Sequence, residues 1–509
     1  MLAKVLSFTL VGLEGKKIEV ETDISKGLPA YDVVGLPDAS VKESRERVRS
    51  AVKNAGYLFP ANKITVNLAP ADLKKEGSGL DLAIAVCILK ADGEIKTRTH
   101  EDVIFLGELA LDGTLRSVRG ILPLLISARK AGYTRFVVPA VNKKEASYLP
   151  GVEVYAAENL GEVVTFLCGE RELAPVAHQE YVTGDTVNPY AADFKYVKGQ
   201  LAAKRAIEVA VSGGHNILMV GPPGAGKTML AKCIPTIMPD MPFDEALEVT
   251  KIHSVAGQLD AEEGITRCRP FRTPHHTATT VSLTGGTTNS KPGEISLAHG
   301  GVLFLDELPE YQRGALEALR QPLEDRVITV ARAASTVTYP ANFMLVASMN
   351  PCPCGNYGSR QQECVCTANQ IQRYRAKISG PLLDRIDLQL VVDSVKYEEL
   401  TEKADGEPSA SIKQRVDACR AIQRNRLQKD GIFTNSEMGE KQIKKYCVLS
   451  PECEAVMQNA FKTLNLSARA RSRILKVART IADLAGEEDI SRIHLLEAIG
   501  YRTFDQSAR

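Results

Sequence analysis

Two hydrophobic rhythms alternate along the chain, and where they stop is as informative as where they run. Over residues 1–175 period-two runs such as Ile18-Glu19-Val20-Glu21-Thr22 and Ile64-Thr65-Val66-Asn67-Leu68 predict strands with one buried face. Between them Ser40–Gly56 places Val41, Val48 and Val52 on one helical face and Lys42, Arg45, Arg47 and Arg49 elsewhere. Leu80–Leu89 reads as an apolar helix and Val103-Ile104-Phe105-Leu106 as a buried strand. This alternation predicts an α/β domain. Periodicity is lost around Pro175, Gly184, Asp185, Asn188 and Pro189, which predicts a linker over 176–192.

A second α/β pattern fills 193–395. A helix is expected over Gly199–Ser212, a buried strand at Ile217-Leu218-Met219-Val220, and a helix from Met229 to Ile234. Val302-Leu303-Phe304-Leu305 and Phe343-Met344-Leu345-Val346-Ala347-Ser348 are further buried strands, with a helix over Arg313–Leu323 between them. Val327–Ala331 and Ser335–Tyr339 predict a hairpin with Arg332 at its tip. Residues 244–299 are too long for a simple connection and predict an insertion with its own hairpin around Gly285-Gly286. From 396 to 509 helices dominate. Ser467 is a plausible N-cap for a helix carrying Ile474, Val477, Ile481 and Leu484 on one face, and Arg492–Gly500 is the last helix.

Composition changes this picture little. A chain of 509 residues has room for several domains. With 63 Lys and Arg against 62 Asp and Glu, global attraction to nucleic acid is excluded, so such binding needs local patches or a pore. No apolar run approaches the roughly 20 residues that span a bilayer, and Met1-Leu2-Ala3-Lys4-Val5 opens no signal-peptide pattern. The 11 cysteines, several in apolar contexts (Cys87, Cys168, Cys233), fit reduced thiols in a cytoplasmic protein with no membrane partner.

The chemistry concentrates in the second pattern. After the Ile217–Val220 run comes Gly221-Pro222-Pro223-Gly224-Ala225-Gly226-Lys227-Thr228, a G-x-x-x-x-G-K-[ST] phosphate loop between a buried strand and a helix. Glycines let backbone N–H groups curl around a polyphosphate, Lys227 reaches the β- and γ-phosphates, and the Thr228 hydroxyl ligates Mg²⁺. The strand ending at Leu305 runs into Asp306, suited to the Mg²⁺ shell, and Glu307, suited to accept the proton of an attacking water. The pair makes ATP hydrolysis, not binding alone, the expectation. Asn350, at the end of the next core strand, offers an amide to sense the γ-phosphate. Cys352, Cys354, Cys364 and Cys366 follow with C-x-C-x9-C-x-C spacing. They offer four thiolates to a tetrahedral Zn²⁺, or they form a loop of reduced thiols. His275 and His276 are adjacent, poor spacing for one metal face, so structural or substrate-facing roles are expected.

Two families are recognisable in these residues. Lys75-Glu76-Gly77-Ser78-Gly79-Leu80-Asp81, with Gly107-Glu108-Leu109 through Arg119-Gly120-Ile121-Leu122-Pro123, resembles the Lon-protease-like domain. There the nucleophilic serine's place falls on Gly79 and the activating lysine's on Leu122, with Ser78 one position off. A serine without its base is a weak nucleophile, so residues 1–175 are expected to be a non-proteolytic scaffold. The phosphate loop, Gly293–Gly301, the hairpin before Asn350, Leu382-Leu383-Asp384-Arg385 and the Arg469 helix resemble an AAA+ ATPase of the magnesium-chelatase-like branch.

With the Lon-like region and Cys-Pro-Cys-Gly, the whole chain resembles the YifB/ComM family: a Lon-like domain (1–175), an AAA+ core (193–395) and a helical lid (396–509). The resemblance implies a hexameric ATPase whose ComM members are DNA motors that drive branch migration during natural transformation. It implies Arg385 as the arginine finger, Arg469 as the lid sensor arginine on the γ-phosphate, and Asn350 as the first sensor. In such a ring Arg332 is expected to meet the DNA phosphates at the pore. Metal insertion into a porphyrin, as in magnesium chelatase, and protein remodelling are the alternative activities.

Overall fold

The computed structural model describes residues 1–96, 102–184, 190, 192–286, 291–331, 336–358, 362–395, 406–464 and 466–502. Arg332, expected at the hairpin tip, lies outside the described residues.

The N-terminal region is built on a seven-stranded mixed sheet in the order Ala30–Val34, Lys63–Ala69, Glu14–Ser25, Leu2–Val11, Val103–Phe105, Arg135–Pro139, Glu153–Ala157. The helix Ala39–Asn54 starts where the Asp38 carboxylate accepts from the Val41 amide at 2.8 Å, and Val41, Val48 and Val52 are buried as the spacing requires. Asp81–Asp92 is apolar nearly all round because it is covered on nearly all sides: every residue from Asp81 to Leu89 is buried.

The segment expected as a linker is fastened rather than free over its described part. Val176 donates to the Val154 carbonyl at 2.8 Å, Gln179 to that of Ser147 at 3.0 Å, and the Tyr181 hydroxyl to that of Met241 at 2.9 Å.

The second region holds a five-stranded sheet, all parallel, in the order Phe271–Arg272, Val302–Leu305, Met344–Met349, Ile217–Val220, Leu388–Val391. Parallel strands covered on both faces are apolar throughout, and Ile217–Val220 and Val302–Leu305 are buried end to end. Register sets up the chemistry. Val220 pairs with Met349 and Leu305 with Ala347, so Gly221, Asp306 and Asn350 leave the sheet at one end.

Two sequence expectations change here. The helix over Arg313–Leu323 is two short ones, Arg313–Ala318 and Arg320–Asp325, because Pro322 has no N–H to give the Ala318 carbonyl. The insertion is not a strand hairpin among the described residues. Thr280–Thr284 and Glu294–Leu297 are short helices joined by a single bridge between Gly285 and Pro292. The Thr279 hydroxyl, accepting from the Ser282 amide at 3.2 Å, caps a helix where the glycines suggest a turn. The predicted hairpin does form: Val327–Ala331 pairs antiparallel with Thr336–Pro340.

Helices Ser409–Leu427, Pro451–Thr463, Ala468–Ala485 and Arg492–Gly500 form the C-terminal region. Ser467 caps the third, accepting from the Ala470 amide at 3.2 Å. Its buried face, Ile474, Val477 and Ile481, shares one apolar cluster with Ile217, Met219 and Leu388 of the sheet.

The N-terminal region docks on the helix Phe243–Ala256 of the second region through a polar knot. Ser254 accepts from the Gly120 amide at 3.0 Å and donates to Glu145, which also accepts from the Leu122 amide at 3.0 Å. Burial pushes the Glu145 carboxyl above the usual range, and these donors hold it in place. No helix among the described residues is long and apolar enough to cross a membrane.

Candidate functional site: two ends of one sheet

At the C-terminal end of the strands the phosphate loop wraps a buried ammonium. Gly221 is close-packed, since a Cβ there would stand 2.2 Å from the Val392 carbonyl oxygen, and Gly224 and Gly226 take φ of +79° and +84°. Lys227 Nζ donates to the Gly221 carbonyl at 2.7 Å, the Pro222 carbonyl at 2.9 Å and Asn350 Oδ1 at 3.2 Å. All three acceptors are neutral. Burial lowers the Lys227 pKa, while Asp306 and Glu307 act to raise it. A buried cation held only by neutral oxygens is suited to an anionic ligand.

The acids stand beside it. Thr228 Oγ1 donates to Asp306 Oδ2 at 2.8 Å, and Ser348 donates to the other Asp306 oxygen. Thr228 and Asp306 are thus the pair that would share a Mg²⁺. Glu307 takes a left-handed backbone, φ +53°, which turns its half-exposed side chain out of the sheet.

At the N-terminal end of the same strands lies a cavity of about 1330 Å³. Gly214 and Asn216 precede the Ile217–Val220 strand, Asn342 precedes Met344–Met349, and all three line it together with Arg385 and Arg469. The four-residue strand between the two ends spans about 13 Å, so neither arginine stands on this chain's own phosphate loop.

Arg385 pairs with Glu324 and donates to the Pro381 carbonyl at 2.8 Å. The Glu324 carboxyl is held below its usual range, mainly by its bond to Arg385 with the charge of Arg469 adding to it. Arg469 stands exposed in the first turn of Ala468–Ala485. Behind both, Asp387 accepts from Arg473 at 2.7 Å and meets His215 Nδ1 at 3.1 Å, while His215 Nε2 meets Thr480 at 2.8 Å. Burial pushes the Asp387 carboxyl up, but Arg473, His215 and Lys476 together outweigh it and hold it well below the usual range.

Residues 193–400 match the family described as magnesium chelatase, subunit ChlI. Residues 20–142 match the subunit ChlI of Mg-chelatase and 406–502 its C-terminal family. Competence protein ComM of Haemophilus influenzae is 43% identical over 506 residues, covering 98% of this chain and 97% of that protein. The uncharacterized protein YifB of Escherichia coli is 43% identical over 497 residues, 97% of this chain and 96% of that protein. The chain belongs to the YifB/ComM family. Members of the YifB/ComM family are magnesium-chelatase-like ATPases, and here an N-terminal ChlI domain, an AAA-type core with a parallel sheet and a helical C-terminal domain follow in that order.

Lon protease 2 of Bacillus subtilis is 28% identical over 142 residues, 26% of each chain. In this YifB/ComM chain Ser78 donates to Glu108, and Leu122 is buried with its amide bonded to Glu145.

The four cysteines do converge. The Sγ atoms of Cys352, Cys354, Cys364 and Cys366 all lie within 4.8 Å of one another, consistent with a zinc site. The His275 and His276 rings lie 4.1 Å apart between centroids, tilted by 34°, and they are absent from the metal-competent cluster found among the described residues. Sequence reasoning missed that His276 Nδ1 lies 3.5 Å from Glu307 Oε2, and that Ser348 holds Asp306. The Ser348 contact was recoverable from register, one residue beyond the Leu305–Ala347 pair.

Proposed function

We propose that this chain is an ATP-hydrolysing ring motor acting on single-stranded or branched DNA, each active site being shared between neighbouring copies. The observation that carries this reading is the separation just described. The phosphate cradle and the acids stand at one end of a sheet, and Arg385 and Arg469 stand at the other. A chain with both halves, each incomplete, is completed by a second copy placed end to end. Repeating that heterologous contact closes a ring, a hexamer by the family resemblance.

In this reading the amides of Gly221–Gly226 and the ammonium of Lys227 hold the polyphosphate of ATP. Thr228 and Asp306 would hold Mg²⁺, which would supply positive charge to offset that of the phosphates. Glu307 accepts the proton of the attacking water. Asn350, now bonded to Lys227, orients that water against the γ-phosphate. Arg385 exchanges Glu324, exposed and on its own chain, for the neighbour's γ-phosphate, and Arg469 joins it from the lid. This places Arg469 on the neighbour's nucleotide rather than its own.

DNA is the substrate favoured by the likeness to ComM, a competence protein. Arg332, which follows Val327–Ala331 in sequence, is the phosphate contact in this reading. Contacts of this kind are independent of sequence and sensitive to salt. The second reading, a motor for metal insertion into a porphyrin, is favoured by the magnesium-chelatase family matches. ATP hydrolysis by the purified protein, measured with and without single-stranded and forked DNA across a salt series, separates them. DNA should accelerate hydrolysis several-fold at low salt, and Arg332→Ala should weaken the acceleration. Hydrolysis indifferent to every DNA would overturn the DNA reading.

A further inference from the structure

The cysteine cluster stands against the ATP site, and its geometry suits one metal ion. Cys352 Sγ lies 3.3 Å from Cys354 Sγ and 3.7 Å from Cys364 Sγ, and Cys354 Sγ lies 3.7 Å from Cys364 Sγ. A disulfide needs about 2.05 Å, so these are not bonded pairs. In a tetrahedral tetrathiolate with Zn–S of about 2.3 Å the sulfurs stand about 3.8 Å apart, close to what is seen.

The surroundings suit thiolates. The Tyr357 amide donates to Cys352 Sγ at 3.3 Å. Arg375 donates to the Pro351 carbonyl at 3.4 Å and lies 5.2 Å over the Tyr357 ring, placing positive charge beside the sulfurs.

From this cluster two paths reach the phosphate cradle. Along the chain, buried Cys352 and Pro351 lead directly to Asn350, whose Oδ1 accepts from Lys227 Nζ. Through space, Gly355 packs on the loop itself. It takes φ +84°, and a Cβ there would stand 2.6 Å from Pro223 Cδ. The described residues between Cys354 and Cys364 form no helix or strand, and the thiols are among the groups that hold them.

We propose that Cys352, Cys354, Cys364 and Cys366 bind one Zn²⁺ that staples the phosphate loop, so that metal occupancy sets the affinity for ATP. The proposal rests on the reading that Gly221–Thr228 binds ATP. Metal binding cross-links a turn that has no helix or strand of its own among the described residues, and the turn fixes Pro223 and Asn350.

The test is made on the full chain, without DNA. Zinc is measured by elemental analysis and ATP affinity by titration with a fluorescent analogue. Wild type should carry one zinc per chain and bind the nucleotide. Cys364→Ser should lose the zinc and bind at least about tenfold more weakly. Gly355→Ala, which leaves every thiol in place, should keep the zinc and still bind more weakly. Cys168→Ser, outside the cluster, should change neither. Wild-type protein without stoichiometric zinc, or zinc-free Cys364→Ser with wild-type affinity, would overturn the proposal. Should Cys364→Ser not fold, zinc-loaded Gly355→Ala with wild-type affinity would overturn it. Zinc-loaded wild type that binds no nucleotide would instead overturn the reading of the phosphate loop.

Discussion

The two ends of the five-stranded sheet are built on opposite principles. The C-terminal end is local: one loop and one dipeptide supply most of its polar groups, and the Lys227 amine is held by neighbouring carbonyls. The N-terminal end is assembled from distant pieces. Arg385 comes from a turn before the edge strand, Arg469 from the lid, and the buried Asp387–Arg473 pair ties the two together. An end that holds phosphate needs backbone close to the ligand, and backbone proximity is written in consecutive residues. An end that reaches a neighbour's phosphate needs long cations on a rigid mount, which tertiary packing supplies.

That contrast is sharpest in hydrolysis. Arg385→Ala should lower the rate about 10³-fold or more, the scale of an arginine finger, with ATP affinity nearly unchanged. Lys227→Ala should abolish nucleotide binding itself, and Glu307→Gln should keep binding while hydrolysis falls about 10²- to 10⁴-fold. Steady-state phosphate release beside nucleotide titration reads all three. Equal losses of affinity in Arg385→Ala and Lys227→Ala would erase the distinction between the ends.

The mount is tested next. Asp387→Asn leaves Arg473 without its buried carboxylate and should cost about 3–5 kcal/mol in urea unfolding. The Asp387 carboxyl is held below its ordinary value in the fold, so its contribution is full above that value and fades as pH falls. The gap between wild type and Asp387→Asn should therefore narrow below about pH 4. A gap constant down to acid pH would mean the carboxylate is not the strut.

The smallest effect concerns the cradle's own tuning. His276 Nδ1 stands 3.5 Å from Oε2 of the half-exposed Glu307. His276→Ala should slow hydrolysis by up to about tenfold with affinity unchanged. A loss of ATP affinity would place His276 in binding instead.

Much of this was legible in the sequence, for physical reasons. The phosphate loop, the Asp306-Glu307 strand end and the hairpin flanks follow from local chemistry and period, and the Ser467 cap from its own side chain. Arg385 and Arg469 came only from family resemblance, because nothing local distinguishes a cleft arginine from a surface one. The Gly285-Gly286 turn was read as a hairpin because glycines mark turns without saying what flanks them, and Thr279 capped a helix instead. His276 is expected from its spacing only in a structural or substrate-facing role, and its carboxylate partner Glu307 sits 31 residues on, just after the Val302–Leu305 strand. Pro322 did carry a signal that the Arg313 helix would break.

The most direct test of the shared site is a mixing titration. Arg385→Ala chains keep an intact cradle, and Lys227→Ala chains keep intact arginines. The measurement is phosphate release from mixtures of the two, with sedimentation of the same samples to confirm that both variants enter one assembly. The account predicts that mixtures hydrolyse ATP several-fold faster than either variant alone, with a maximum at intermediate ratios. Co-assembled mixtures no more active than the separate variants would contradict it.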